Sequence, residues 1–151
     1  MTVRYDAALL GTLSITVFWI CATINRFCVS SIRMRPIRLF VIGCVLSAVF
    51  VCGGVAANSA VAMCVAMGAI GLVTGHFMPV MLSECAIGYE GKTTMTTSVM
   101  LFIMGVIRIF VPLAIAFLST SISFVAGMLL PAATALLAAL FGALTERAQT
   151  E

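Results

Sequence analysis

The sequence predicts an all-α fold, a polytopic transmembrane helical bundle of about five spans, and three observations predict it. First, 63% of the 151 residues are hydrophobic and only 9% are charged, whereas a soluble domain is about 45–50% apolar and about 25% charged. The mean hydropathy is +1.24, a surface that lipid accommodates and water does not. Second, the apolar residues gather into five runs, each near the roughly 20 residues that a helix needs to cross a bilayer. Third, these runs are continuous rather than alternating. A helix satisfies its own backbone within lipid, which an isolated strand cannot do.

The elements follow in order as one transmembrane domain over residues 1–151. The first span is expected over residues 7–24. Arg4 followed by an apolar stretch also fits the start of a signal peptide. Trp19, Thr23 and Asn25 then follow without a clean small-residue cleavage site, so a retained span is expected. A basic segment, residues 25–38, holds Arg26, Arg33, Arg35, Pro36 and Arg38 and is expected to be a loop. The second span is expected over residues 37–56, and an uncharged turn, Ala57-Asn58-Ser59, leads to the third over 60–82. The polar stretch 83–94, with Glu84, Glu90, Gly91 and Lys92, separates it from the fourth span over 95–118. Ser119-Thr120-Ser121 forms a turn into the fifth span over 122–144.

Charge placement sets the expected orientation. With an odd number of spans, the first loop, the third loop and the C-terminus share one side. That side carries Arg26, Arg33, Arg35, Arg38, Lys92 and Arg147, and the other carries Arg4. The positive-inside rule puts the C-terminus in the cytoplasm and the N-terminus outside, in a plasma or inner membrane. The net charge of +3 is spread over loops and ends rather than along one folded face, so no nucleic-acid partner is expected. The expected partner is the lipid bilayer.

Helices in lipid associate through close contact between small residues. Gly68, Gly71, Gly75 and Pro79 fall on one face of the third span. Gly127, Pro131, Ala135, Ala138 and Gly142 form a similar stripe on the fifth, and Gly43, Ser47 and Gly54 lie along the second. Such stripes serve bundle packing, and in a transporter they also let helices slide or bend.

Four residues are candidates to line a cavity or meet a solute: Arg108, His76, Thr74 and Trp19. Arg108 lies near the middle of the fourth apolar run, where a charge costs at least ~2.5–3.5 kcal/mol on insertion scales. It is expected to face protein or a wet cavity. Ser98, Gly105 and Pro112 share its face, and no span core holds an Asp or Glu to pair with it. Its partner is then a carbonyl, a hydroxyl such as Thr74, an anionic ligand or another chain. His76, the one histidine, is suited to proton relay by an ordinary pKa near 6.5, and equally to hydrogen-bonded packing. Trp19 sits too far from an interface to be an aromatic anchor and either lines a cavity or fills the bundle.

The six cysteines include no C-x-x-C pair, so neither a disulfide framework nor a metal centre is expected. No catalytic motif of a zincin, an α/β-hydrolase or a P-loop enzyme occurs. An enzyme is not expected, and no cofactor.

The order of these features resembles the major facilitator superfamily of secondary transporters. Leu13-Ser14-Ile15-Thr16-Val17-Phe18-Trp19, then Asn25-Arg26, is similar to the helix that leads into that family's basic cytoplasmic loop. Asn25 stands where Gly is common, and the loop's acidic member is missing. Gly71-Leu72-Val73-Thr74-Gly75-His76-Phe77-Met78-Pro79 is similar to a Gly-rich helix ending in Gly-Pro-x-x-Pro, with His76 in place of the first proline. Ser98 to Pro112, with Gly105, resembles the helix that follows it. The resemblance implies the C-terminal half of a sugar-permease-like member without its first helix. It implies a partial transporter that moves a small-molecule solute by alternating access beside a complementary half, since these proteins join two halves of about six helices around the substrate. It implies a loop-motif role for Arg26 and cavity positions for Thr74, His76 and Arg108. A small helical assembly or interaction subunit without transport activity is the alternative.

Overall fold

A computed structural model describes residues 2–29, 35–57, 59–89 and 91–148; Arg33, Asn58 and Glu90 lie outside them. The order is α1 (Thr2–Val29), α2 (Pro36–Ala56), α3 (Ala60–Thr74), α4 (Phe77–Gly88), α5 (Thr93–Ser121) and α6 (Phe124–Ala148). No strand occurs among the described residues. Five helical stretches are long and apolar enough to cross a membrane: Gly11–Val29, Pro36–Ala56, Ala60–Gly88, Thr93–Ser121 and Val125–Arg147.

The boundaries differ from the sequence expectation where polar residues are helical. Residues 25–29 belong to α1 and residues 36–38 to α2, so the expected loop over 25–38 is shorter at both ends. Arg26 in the last turn of α1 complements the negative end of the helix. Pro36 opens α2, where its missing N–H costs nothing. The third span continues to Gly88 rather than stopping at residue 82. Ser83 helps by turning its hydroxyl onto the carbonyl of Val80 at 2.9 Å. Ser119-Thr120-Ser121 is likewise the end of α5 rather than a turn; Thr120 donates to the carbonyl of Ala116 at 3.0 Å. The turn falls at residues 122–123, and the Ser123 hydroxyl accepts from the Ala126 N–H at 3.1 Å, capping α6.

The chain forms two compact units, Met1–His76 with Pro131–Glu151, and Phe77–Leu130. In the first unit α3 packs on both α1 and α2. Its interior is built from small side chains: Ala22, Cys44, Ala48, Ala66, Ala132 and Ala139 are buried with Val51, and the largest fully buried side chain is Cys44. Ala48 and Val51 of α2 meet Ala132 of α6, with Ile70 of α3 and Ala135 alongside. Gly142 of α6 lies against Val41 and Phe40 of α2, and Arg38 pairs with Glu146 at the same end. Large apolar side chains such as Leu13, Phe27, Val49 and Val65 face outward. This inversion of a soluble protein follows from the solvent. Lipid tails are as apolar as leucine, so burying leucine gains little, while small residues let backbones approach and gain dispersion contacts.

In the second unit α4 packs on α5, with the Cys85 thiol 3.5 Å from the Met100 sulfur. The turn between them uses Gly91 at φ 83°, a left-handed conformation that glycine adopts without steric cost. Gly127, early in α6, lies so close to Ile115 and Ser119 of α5 that a Cβ there would stand 2.9 Å from the Ile115 carbonyl oxygen.

Candidate functional site: the break in the third span

The glycines of α3 lie against α1. A Cβ on Gly68 would stand 2.9 Å from Val17 Cγ1. One on Gly71 would stand 3.1 Å from Cys21 Cβ and 3.2 Å from the Ala22 nitrogen, and closer still to the Phe18 carbonyl oxygen. One on Gly75 would stand 2.8 Å from Ala22 Cα and 2.9 Å from its carbonyl carbon. The φ of Gly75 is −55°, which any residue adopts, so glycine is needed there for space alone.

At Gly75-His76 the helix is interrupted, and the covalent cause stands four residues on. An unbroken helix would pair the Gly75 carbonyl with the N–H of residue 79. Residue 79 is proline, which has no N–H and whose ring crowds that carbonyl. The carbonyl finds its donor on another helix: Arg26 Nε of α1 donates to Gly75 O at 2.9 Å. One turn earlier the Leu72 carbonyl accepts from Asn25 Nδ2. The other end of the same amide, Asn25 Oδ1, lies 3.0 Å from His76 Nδ1. Because the amide nitrogen is committed to Leu72, the oxygen facing His76 is an acceptor, and Nδ1 therefore carries a proton. Asn25 and His76 are 9% and 3% exposed. Two adjacent residues of α1 thus serve two carbonyls at the break and fix the tautomer of a buried imidazole. Polar groups removed from water are costly unless bonded, and irregular backbone at membrane depth persists only where protein or a wet cavity surrounds it.

The structure brings together Arg26, Gly71, Gly75 and His76 from the candidates found by sequence. Thr74 is next to them in sequence, but its hydroxyl donates to its own helix, to Ile70 O at 2.8 Å. Trp19 points outward at 55% exposure and makes an edge contact with Phe18, ring centroids 5.5 Å apart. Pro79 is exposed. Arg108, Gly105 and Pro112 lie exposed on α5, no described residue of which is buried. Gly105 has open space where a Cβ would be. Among the described residues no group of three or more His, Cys, Asp or Glu is placed to hold a metal ion.

Sequence reasoning missed Asn25 as the hub. Its signal was present: Ser14, Phe18, Ala22 and Asn25 recur at helical spacing, and carrying α1 past residue 24 puts Asn25 on the face that meets α3.

Taken together, the chain is an all-helical membrane protein with five candidate spans, its third broken beneath a side-chain clamp from the first. Comparison with family models, with curated proteins and with solved structures found no match to the chain.

Proposed function

We propose that the chain is a partial secondary transporter of the major facilitator type, moving a small solute by alternating access together with a complementary half. The observation that carries this reading is the interrupted third span. Discontinuous helices whose unwound backbone groups are met from elsewhere are the usual material of transporter sites, and here the interruption carries a histidine and two carbonyls that Asn25 and Arg26 of α1 re-pair. The motif resemblance of residues 13–26 and 71–79 supports the same assignment. In this reading α3 faces the solute path, His76 is the proton-responsive group, and the Asn25–Arg26 clamp holds the break in one of its two states. The N-terminus is outside and the C-terminus cytoplasmic, with the basic residues after α1 held on the cytoplasmic side.

The test is side-specific labelling in a cysteine-free background. Cysteines at Thr74 and Met78 are probed with a membrane-impermeant thiol reagent from each side of sealed vesicles, with and without a coexpressed complementary half. Alternating access gives labelling from both sides when both halves are present. Labelling from one side only, or none, rejects transport by this path.

The second reading is an assembly or interaction subunit, which the charge of Arg108 within the apolar run of α5 also suits. Equal solute uptake with and without the chain, alongside a stable complex, would favour it.

A further inference from the structure

The chain has four prolines, and two of them have a glycine four residues before: Gly75-His76-Phe77-Met78-Pro79 and Gly127-Met128-Leu129-Leu130-Pro131. These two segments span the places where the chain passes between its compact units, from His76 to Phe77 and from Leu130 to Pro131. The other prolines stand elsewhere. Pro36 opens α2, and Pro112 lies inside α5, where both sides belong to one unit.

At both crossings the helix has lost a main-chain bond. Pro79 offers no N–H to the Gly75 carbonyl, Pro131 offers none to the Gly127 carbonyl, and each ring crowds the carbonyl one turn back. The third span responds with an interruption at Gly75-His76. Helix α6 runs on through Pro131, and the Thr134 hydroxyl donates to the Pro131 carbonyl at 2.9 Å. A helix bends most readily where a proline has removed such a bond.

The residues on either side of the crossings are held, each within its own unit. In the first unit, Gly75 lies against Ala22 and its carbonyl accepts from Arg26. His76 meets Asn25, and Ala132 is buried with Ala48 and Val51 of α2. In the second unit, Gly127 lies against Ile115 and Ser119 of α5, and α4 packs on α5. The compliant stretches are therefore short, residues 77–79 and 128–131.

We infer that Phe77–Leu130 swings as one body relative to the rest of the chain, on paired hinges at residues 77–79 and 128–131. Hinges of this kind are a few residues that absorb a change in φ and ψ while the packed bodies they join keep their contacts. The inference rests on the packing inside each unit and on the chemistry of the two connections. It requires no transport activity and stands apart from the reading above.

The test is pulsed electron–electron distance measurement on the full chain in phosphatidylcholine liposomes. Spin labels are carried on encoded keto side chains, so the native cysteines stay in place. Val49 with Leu137 gives a pair within the first unit and Ile87 with Phe110 a pair within the second. Val49 with Phe110 and Leu137 with Ile87 give pairs between them. The between-unit distributions are expected to be about twofold wider than the within-unit ones, as hinged bodies require. Pro79→Ala and Pro131→Ala should each narrow them, because a body attached at two points swings only if both bend. Pro112→Ala should leave them unchanged. Circular dichroism follows helix content, which alanine favours over proline. The comparison of within-unit and between-unit pairs without a proline variant stands even if a variant loses helix. Between-unit distributions as narrow as the within-unit ones overturn the inference, and so does a broad distribution for Ile87 with Phe110. Widths that survive both Pro79→Ala and Pro131→Ala, or that Pro112→Ala narrows equally, overturn it too.

Discussion

Replacing Gly75 with alanine probes the joint between α1 and α3. The added Cβ would stand 2.8 Å from Ala22 Cα and 2.9 Å from its carbonyl carbon, main-chain atoms that no rotamer change can move. Relief requires α1 and α3 to separate by several tenths of an ångström or more. Overpacking of this kind costs about 1–3 kcal/mol. Alanine returns about 1 kcal/mol of helix propensity at most, and less at a helix end. The separation also stretches the bonds from Arg26 to Gly75 and from Asn25 to Leu72, each worth about 1 kcal/mol. The expected net loss is about 2–3 kcal/mol. Gly53→Ala is the matched control, since Gly53 is exposed with nothing within 4 Å of its Cβ position; it should be neutral or slightly stabilising. Both are measured by denaturant titration in mixed micelles, with circular dichroism for helix content and the fluorescence of the single tryptophan, Trp19 on α1, for packing. If Gly75→Ala unfolds at the same denaturant fraction as Gly53→Ala, the close approach of α1 and α3 is not what the glycine serves.

Asn25→Leu keeps the volume and removes both bonds of the amide, so the Leu72 carbonyl loses its cross-helix donor and His76 its acceptor; a loss of about 1–3 kcal/mol is expected in the same titration, and Asn25→Gln should not restore it, because the longer amide cannot meet both partners at once. Arg26→Ala should cost about 1 kcal/mol in the parent chain and clearly less in a Pro79→Ala background, where residue 79 regains an N–H for the Gly75 carbonyl; equal costs in the two backgrounds would mean that Arg26 does not stand in for the missing donor. Tags on the two ends should report opposite compartments, the C-terminal one cytoplasmic, and a protease-protection assay that finds both on one side refutes the five-span arrangement.

How much of this was legible in the sequence depends on the length scale of the cause. The five spans were, because each rests on about 20 neighbouring apolar residues, and lipid leaves the backbone one local solution. The ends of the helices were less so. Asn25 and Ser83 look like loop residues by polarity, yet their side chains bond carbonyls within the protein, and polarity alone does not separate a solvated loop from a capped helix. The break in the third span was half visible. Pro79 announces that the Gly75 carbonyl loses its donor, but the replacement comes from a residue 49 positions away, and no local pattern points to it. Arg108 was conspicuous as a charge in an apolar run, while its partner is not written in the residues around it.

The clamp at the break also bears on how the chain is made. Synthesis delivers α1 well before α3, and the groups at the end of α1 are donors that water can satisfy while they wait at the membrane boundary. The Gly75 carbonyl enters later, in a segment that cannot satisfy it by itself because residue 79 is proline. Insertion of the third hydrophobic stretch is therefore easiest alongside its predecessor, with Asn25 and Arg26 already in place to receive it. A chain that emerged in the reverse order would have to carry an unmet proline gap into the bilayer alone.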